Sequence, residues 1–228
     1  MSSNNSALEK SGLAIFDLDH TLITGDSDYA WGEYLVETGI VDAETYRKAN
    51  DQFYHDYLDG TLDIHRYLEF ALQPLTQHPL EQLHQWREDF VERKILPLIT
   101  AKSLELLSAH REQGHYLLII TATNRFVTEP IARHLGVDDL IATDPEQLEG
   151  RYTGKVAGIP SFQDGKVARL EQWLADHHQT YSESWFYSDS HNDIPLLERV
   201  EHPYAVNPDP TLEKVAAARG WPVISLHD

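Results

Sequence analysis

Leu13-Ala14-Ile15-Phe16-Asp17-Leu18-Asp19-His20-Thr21-Leu22 is the most informative stretch of the chain. Its first four residues are apolar and read as a buried strand. Two carboxylates follow, Asp17 and Asp19, spaced i, i+2. Residues so spaced on a strand share a face. The pair is therefore expected side by side at the strand's carboxyl end, where ligands bind in an open α/β sheet. Adjacent carboxylates repel, and no cation stands beside them in the sequence. Unpaired charge close to the interior is not tolerated without a partner, so a divalent cation is expected there.

The remainder of the chain supports an α/β reading. Short apolar runs at Leu13–Phe16, Tyr116–Thr121, Leu140–Thr143, Trp185–Ser188 and Tyr204–Val206 read as strands. Helix-period stretches at Lys102–Gln113, Phe126–Leu135, Lys166–His177 and Pro210–Arg219 lie between or after them. Gly136 and Gly220 follow two of these stretches, as glycine often follows a helix. Such alternation predicts a doubly wound parallel sheet with helices on both faces. Gly150–Gly154 reads as the turn of a small hairpin.

Residues 26–93 break the pattern, separating the first strand from the second by far more than a crossover helix needs. The segment is aromatic-rich and helical in period, and residues 26–92 hold 15 acidic against 4 basic side chains. It reads as a helical lid over the sheet's carboxyl edge and not as part of the core. The expected division is a core of residues 1–24 and 94–228 and a cap of residues 25–93. Trp31, Tyr54 and Tyr57 read as lid core, with one of them free to line a pocket.

Charge and composition exclude several functions. The 228 residues carry 18 Lys and Arg against 37 Asp and Glu, a net charge of −19. Such a surface repels nucleic acid and anionic membranes. The chain has no cysteine, so disulfides, thiolate zinc sites and cysteine nucleophiles are excluded. No apolar stretch approaches the ~20 residues of a membrane span. The polar start, Met1–Ser6, lacks the features of a signal peptide. A cytoplasmic protein, monomer or homodimer, is expected.

Three more strand ends carry chemistry. Leu117–Asn124 (LLIITATN) ends an apolar strand in hydroxyls and an amide, groups that suit phosphate oxygens. Gly165-Lys166 opens an amphipathic helix, where a first-turn lysine opposes the helix dipole and needs an anion nearby; Lys155, after Gly154, lacks that context. Tyr187–Leu197 (YSDSHNDIPLL) adds Asp189 and Asp193. Four acids with oxygen-only chemistry fit magnesium better than zinc.

Taken in order, FDLDHTL (Phe16–Leu22), LLIITATN, DGKV (Asp164–Val167) and YSDSHNDIPLL resemble the four motifs of the haloacid dehalogenase superfamily of phosphohydrolases. The helical insert after the first motif resembles the cap of the phosphoserine-phosphatase-like branch, subfamily IB. Two motifs depart in detail, Thr-Ala-Thr standing where Ser-Gly-Gly is frequent and Ser-Asp-Ser-His-Asn-Asp where glycines are common. The resemblance implies a magnesium-dependent phosphomonoesterase with Asp17 as nucleophile and an aspartyl-phosphate intermediate. Asp19 is then general acid and base. Thr121, Ala122, Thr123, Asn124 and Asn192 bind phosphate, and Lys166 neutralises its charge. Asp17, Asp19, Asp189 and Asp193 are the implied metal residues, Asp19 through its carbonyl and Asp193 through Lys166 or a metal-bound water. A receiver-like phospho-acceptor shares the sheet but lacks so long an insert. A dehalogenase would not need Asp19.

The expected substrate is a small phosphate ester. Asp26, Asp28 and Glu33 are candidates to face an amine, and Arg47 and Arg66 to face a carboxylate. An acidic, aromatic lid suits histidinol phosphate better than phosphoserine, and the first motif with this cap length resembles histidinol-phosphatase-like members of the branch. His20 and His191 are candidate substrate contacts, whereas His177 and His178 read as helix-end residues.

Overall fold

The computed structural model describes residues 11–177 and 180–227; His178 and the start of the chain, Met1–Ser6, lie outside the described residues. Six parallel strands form the central sheet. They are β1 (Gly12–Phe16), β2 (Tyr116–Asn124), β3 (Asp139–Thr143), β6 (Glu183–Ser188), β7 (His202–Val206) and β8 (Val223–Ile224). Their order is β3-β2-β1-β6-β7-β8, so the chain winds one way from β1 and then the other. The switch lies between β1 and β6, and Asp17 sits at its carboxyl end.

Side chains along the inner strands alternate between two cores, as a pleated sheet covered on both faces requires. Ala14 and Phe16 of β1 join Leu117 and Ile119 of β2 on one face, beneath α5 (Ala101–Glu112) and α6 (Arg125–Leu135). Leu13, Ile15, Leu118 and Ile120 face α7 (Asp164–His177), α8 (Ile194–Leu197) and α9 (Pro210–Arg219). Gly136 and Gly220 end α6 and α9 in the left-handed conformation. The short β8 strand has no counterpart in the sequence reading.

The hairpin is displaced from the expected position. β4 (Pro145–Leu148) and β5 (Arg151–Val156) pair antiparallel, and the turn falls on Glu149 and Gly150, both at positive φ. β5, with Gly154 and Lys155, leans on α3 (Ile64–Leu72) and the turn that follows it.

The inserted segment is rooted unevenly. Its helices α1 (Ser27–Glu37), α2 (Ala43–Leu58), α3 and α4 (Leu80–Phe90) differ in how they are rooted. Trp31, Tyr34 and Leu35 of α1 and Leu83 and Phe90 of α4 belong to the same core as Phe16 and Phe126. Trp31 packs edge-on against both Phe90 and Phe126. These large apolar faces bury against the sheet side. α2 buries only Asn50, whose amide donates to the Tyr29 carbonyl at 3.2 Å where Gly32 lets the helices approach. No helix among the described residues is long and apolar enough to cross a membrane.

One buried polar chain links α5, the turn before β2 and β6. His110 of α5 meets His115 through their Nδ1 atoms at 2.8 Å, and its Nε2 meets the Tyr187 hydroxyl at 2.8 Å. Only one proton fits between facing Nδ1 atoms, so the two rings cannot both be cationic. Burial, aided by His115, pushes His110 down to about 4. Protons then bind the unfolded chain more readily than the folded one. This contribution to stability is full above about pH 6.5 and drains as pH falls toward 4. Urea unfolding of H110F should therefore show a smaller stability loss between pH 7.5 and 5 than the parent chain; equal losses would contradict the assignment.

Candidate active site

β1 stops at Phe16, and the chain turns. Asp17 stays extended and its N–H donates to the Tyr187 carbonyl at 2.9 Å. A wide turn closes by a bond from the Ile23 N–H to the Leu18 carbonyl at 3.1 Å, with His20 at φ +54° inside it. Asp17 and Asp19 are thus not neighbours on one strand face, as the spacing alone implied. Their carboxylates have separate partners. Asp17 accepts from Lys166 Nζ at 2.7 Å. Asp19 accepts from the Ser27 N–H at 2.6 Å and the Thr123 and Thr121 hydroxyls at 2.8 and 3.3 Å.

Lys166 reaches the site because Gly165 permits a close pass, where a Cβ would stand 2.1 Å from the Pro160 carbonyl oxygen. Its ammonium sits 2.7 Å from both Asp17 and Asp193, and all three are buried. Burial opposes the ammonium's charge, but the two carboxylates prevail and hold its pKa above the ordinary lysine value. Asp193 also accepts from Ser188 Oγ at 2.7 Å. Burial raises Asp17 to about 7 against the pull of Lys166, with Asp193 and Asp19 adding to the rise.

Asp189 completes the acidic centre. The Thr21 hydroxyl lies 3.2 Å from its carboxylate and 3.3 Å from that of Asp17. One hydroxyl proton cannot serve both. Burial, then the charges of Asp17 and Asp193, push Asp189 far above the usual carboxylate range. Two crowded carboxylates short of positive charge are a donor set that fits Mg²⁺, which takes one or two carboxylates and fills its shell with other oxygens. Among the described residues no three His, Cys, Asp or Glu side chains gather as a metal cluster. Asp193 is engaged by Lys166 and Ser188, and Asp19 by the Ser27 N–H and two threonine hydroxyls.

A pocket opens above these groups, lined by Asp17, Asp19, Thr121, Ala122, Thr123, Lys166, Asn192 and Asp193. Asn192 is braced by Gln163, which donates to its Oδ1 at 2.8 Å. Asn124 lies beside this pocket but outside its lining. It caps α6 by accepting from the Val127 N–H, and donates to Asp28 at 3.2 Å. The inserted helices supply the far wall with Asp26, Asp28, Tyr29, Asn50, Phe53, Tyr54, Tyr57 and Tyr67. Lys166 is the sole cation of the lining.

The other candidates lie elsewhere. Arg47 pairs with Glu33 at the surface, and Arg66 is exposed; none of the three lines the pocket. His20 approaches the Tyr54 hydroxyl at 3.5 Å, and His191 is bound by Asp209 at 2.8 Å with its far edge against Gly60. Lys155 is exposed on β5. Phe53, Tyr67, Asn50 and Phe162 were not singled out from the sequence. A run rich in aromatics on successive helices does not show which ring turns inward.

Comparison with known proteins agrees with this geometry. Residues 14–198 match the family model of the haloacid dehalogenase-like hydrolases. The chain is 45% identical over 218 residues to a histidinol-phosphatase of Neisseria meningitidis serogroup C (strain 8013), covering 94% of this chain and 98% of that one. A crystal structure of a protein of unknown function from Bordetella pertussis Tohama I superposes with a TM-score of 0.90 at 47% identity, covering 95% of this chain and 99% of the other. A substrate-bound phosphoserine phosphatase shares the fold, with a TM-score of 0.69 at 18% identity and coverage of 96% and 94%. The chain belongs to the haloacid dehalogenase-like hydrolases, and within them it is a phosphoric monoester hydrolase.

The buried triad makes a direct prediction. Breaking a buried ion pair by removing one partner costs about 3–5 kcal/mol. K166M should lose stability of that order at neutral pH in urea unfolding and regain part of it at pH 5, where stranded carboxylates take up protons. A variant as stable as the parent at pH 7.5 would show that the triad is not what holds this junction together.

Proposed function

We propose that the enzyme hydrolyses a small, amine-bearing phosphate monoester, histidinol phosphate, through a phosphorylated Asp17. Asp17 attacks phosphorus, the bond from phosphorus to the ester oxygen breaks, and Asp19 gives the departing alkoxide a proton. Water then attacks the aspartyl-phosphate while Asp19 takes its proton, releasing inorganic phosphate and restoring Asp17.

The electrostatic problem is anion against anion. Unit charges 4 Å apart repel by about 4 kcal/mol even at an effective dielectric of 20. Lys166 reduces that repulsion at Asp17, and the hydroxyl of Thr121, the backbone around Ala122 and Thr123, and Asn192 receive phosphate oxygens. Magnesium held by the Asp17 and Asp189 side chains and the Asp19 carbonyl would supply further positive charge beside the phosphate. Asp193 acts through Lys166, keeping its ammonium against Asp17. Residues 25–93 serve as the cap, with the remainder as catalytic core. A cytoplasmic setting, as monomer or homodimer, belongs to the same proposal.

The charge of the pocket wall carries the substrate choice. A phosphoserine carboxylate would enter a wall holding Asp26 and Asp28 and find no arginine. The ammonium and imidazole of histidinol phosphate meet acids and aromatic rings there. The name of the Neisseria relative points the same way.

In a phosphate-release assay with magnesium, histidinol phosphate should exceed phosphoserine in kcat/KM by at least tenfold, and EDTA should abolish turnover. Phosphoserine as the better substrate would overturn the reading. D17N should eliminate turnover of every phosphomonoester. D19N should lower kcat by about 10²–10⁴ while phosphate still binds as a competitive inhibitor; a loss under tenfold would remove Asp19 from proton transfer.

A further inference from the structure

The two aspartates of the far wall are not equivalent. Asp26 is spent on its own helix, one carboxylate oxygen accepting from the N–H groups of Asp28 and Tyr29 at 2.9 and 2.8 Å. Asp28 has no such duty. It is 8% exposed, lines the pocket and accepts from the Asn124 amide at 3.2 Å and from the Tyr67 hydroxyl. No basic side chain pairs with it among the described residues, and the charges near it are Asp26 and Asp19. Burial first, then those two acids, push Asp28 up to about 7 against the hydrogen bonds from Tyr67 and Asn124.

A buried carboxylate without a cation, facing a cavity, either takes up a proton or is completed by a cation that arrives with the ligand. Tyr29, Phe53, Tyr54 and Tyr67 stand around it in the same lining. Their ring faces attract cations, and their edges exclude water from the pair.

We infer that Asp28 is the residue that receives the substrate's ammonium group, with Asn124 and Tyr67 as positioning residues that fix its carboxylate. This rests on the reading of the substrate as an amine-bearing ester turned over at Asp17. The substrate class narrows to phosphate monoesters of amino alcohols without a carboxylate, because a carboxylate beside the amine would be carried toward Asp28 and Asp26. Asn124 adds a length restriction. It ends the strand segment whose preceding residues, Thr121 to Thr123, face the phosphate, so a single strand end sets the separation between the two charges the substrate must match.

Two matched pairs of esters test this. One is histidinol phosphate with 3-(imidazolyl)propyl phosphate, the same skeleton without the amine. The other is 2-aminoethyl phosphate with ethyl phosphate. In the parent enzyme kcat/KM should favour the amine member of each pair. D28N should cut that preference by about 10- to 100-fold, the span expected of a hydrogen bond to a charged group, chiefly through KM. Y67F keeps the ring and removes the bond to Asp28. Its preference should fall by about 3- to 10-fold, which provides the reading if D28N does not fold.

A preference unchanged in both variants, or a parent enzyme indifferent to the amine, would overturn the assignment. So would a D28N that slows both members of a pair equally. If histidinol phosphate is hydrolysed and its preference survives D28N, Asp28 loses its role while the substrate stands. If an Asp28-dependent preference appears only with 2-aminoethyl phosphate, and histidinol phosphate is ignored, the substrate falls and the role of Asp28 stands.

Discussion

A single ammonium group sits at the centre of this molecule, touching two buried carboxylates at the junction of β1, α7 and the loop after β6. Burying an ion costs several kcal/mol that only close opposite charge and satisfied hydrogen bonds return. Lys166 meets that condition twice, at Asp17 and at Asp193, and Ser188 supplies a further donor. The arrangement still leaves the centre one positive charge short. Asp189, crowded against Asp17 across the Thr21 hydroxyl, holds its own deficit. The site is thus pre-set to welcome positive charge from outside, and the attack proposed for Asp17 would exploit that imbalance.

The sheet explains why these groups meet. β1 is the central strand at which the winding changes direction, and the two cores fix it on both sides through Phe16 and Ile15. Asp17 is therefore held at a rigid strand end, where its hydrogen bond to Tyr187 continues the ladder. Motif residues come from β1, β2, α7 and β6, four stretches distant in sequence and adjacent in the fold. Catalytic geometry built on strand ends inherits the precision of the sheet.

Much of this was legible in the residues. Alternation of apolar runs with helical stretches identified five of the six sheet strands, and Asp17, Asp19, Thr121, Lys166, Asn192 and Asp193 do share a pocket. Their legibility has a physical basis, since polar groups at the end of apolar strands have few structural uses. The spacing argument for Asp17 and Asp19 failed in detail because the strand ends at Phe16, before either aspartate, and the chain turns from Leu18 onward. Four acids could be counted, but not which of them Lys166 and the hydroxyls would occupy. The buried His110, His115 and Tyr187 chain left no local trace, because its members lie on separate elements. The inward-facing Phe53 and Tyr67 were hidden among many aromatics of equal standing, and Trp31 proved to be rooted in the sheet-side core.

The sparse packing of α2 has an evolutionary meaning. Helices α1 and α4 are anchored by Trp31, Tyr34 and Phe90, so altering them endangers the whole fold. α2 fully buries one asparagine; Tyr46 and Phe53 pack on Phe70 of α3, Phe53, Tyr54 and Tyr57 line the pocket, and much of the rest faces solvent. Replacements on its pocket and solvent faces leave the sheet-side core intact while reshaping the pocket wall. Selection can retune the chemistry this scaffold accepts along one loosely held helix, leaving the phosphoryl-transfer apparatus untouched.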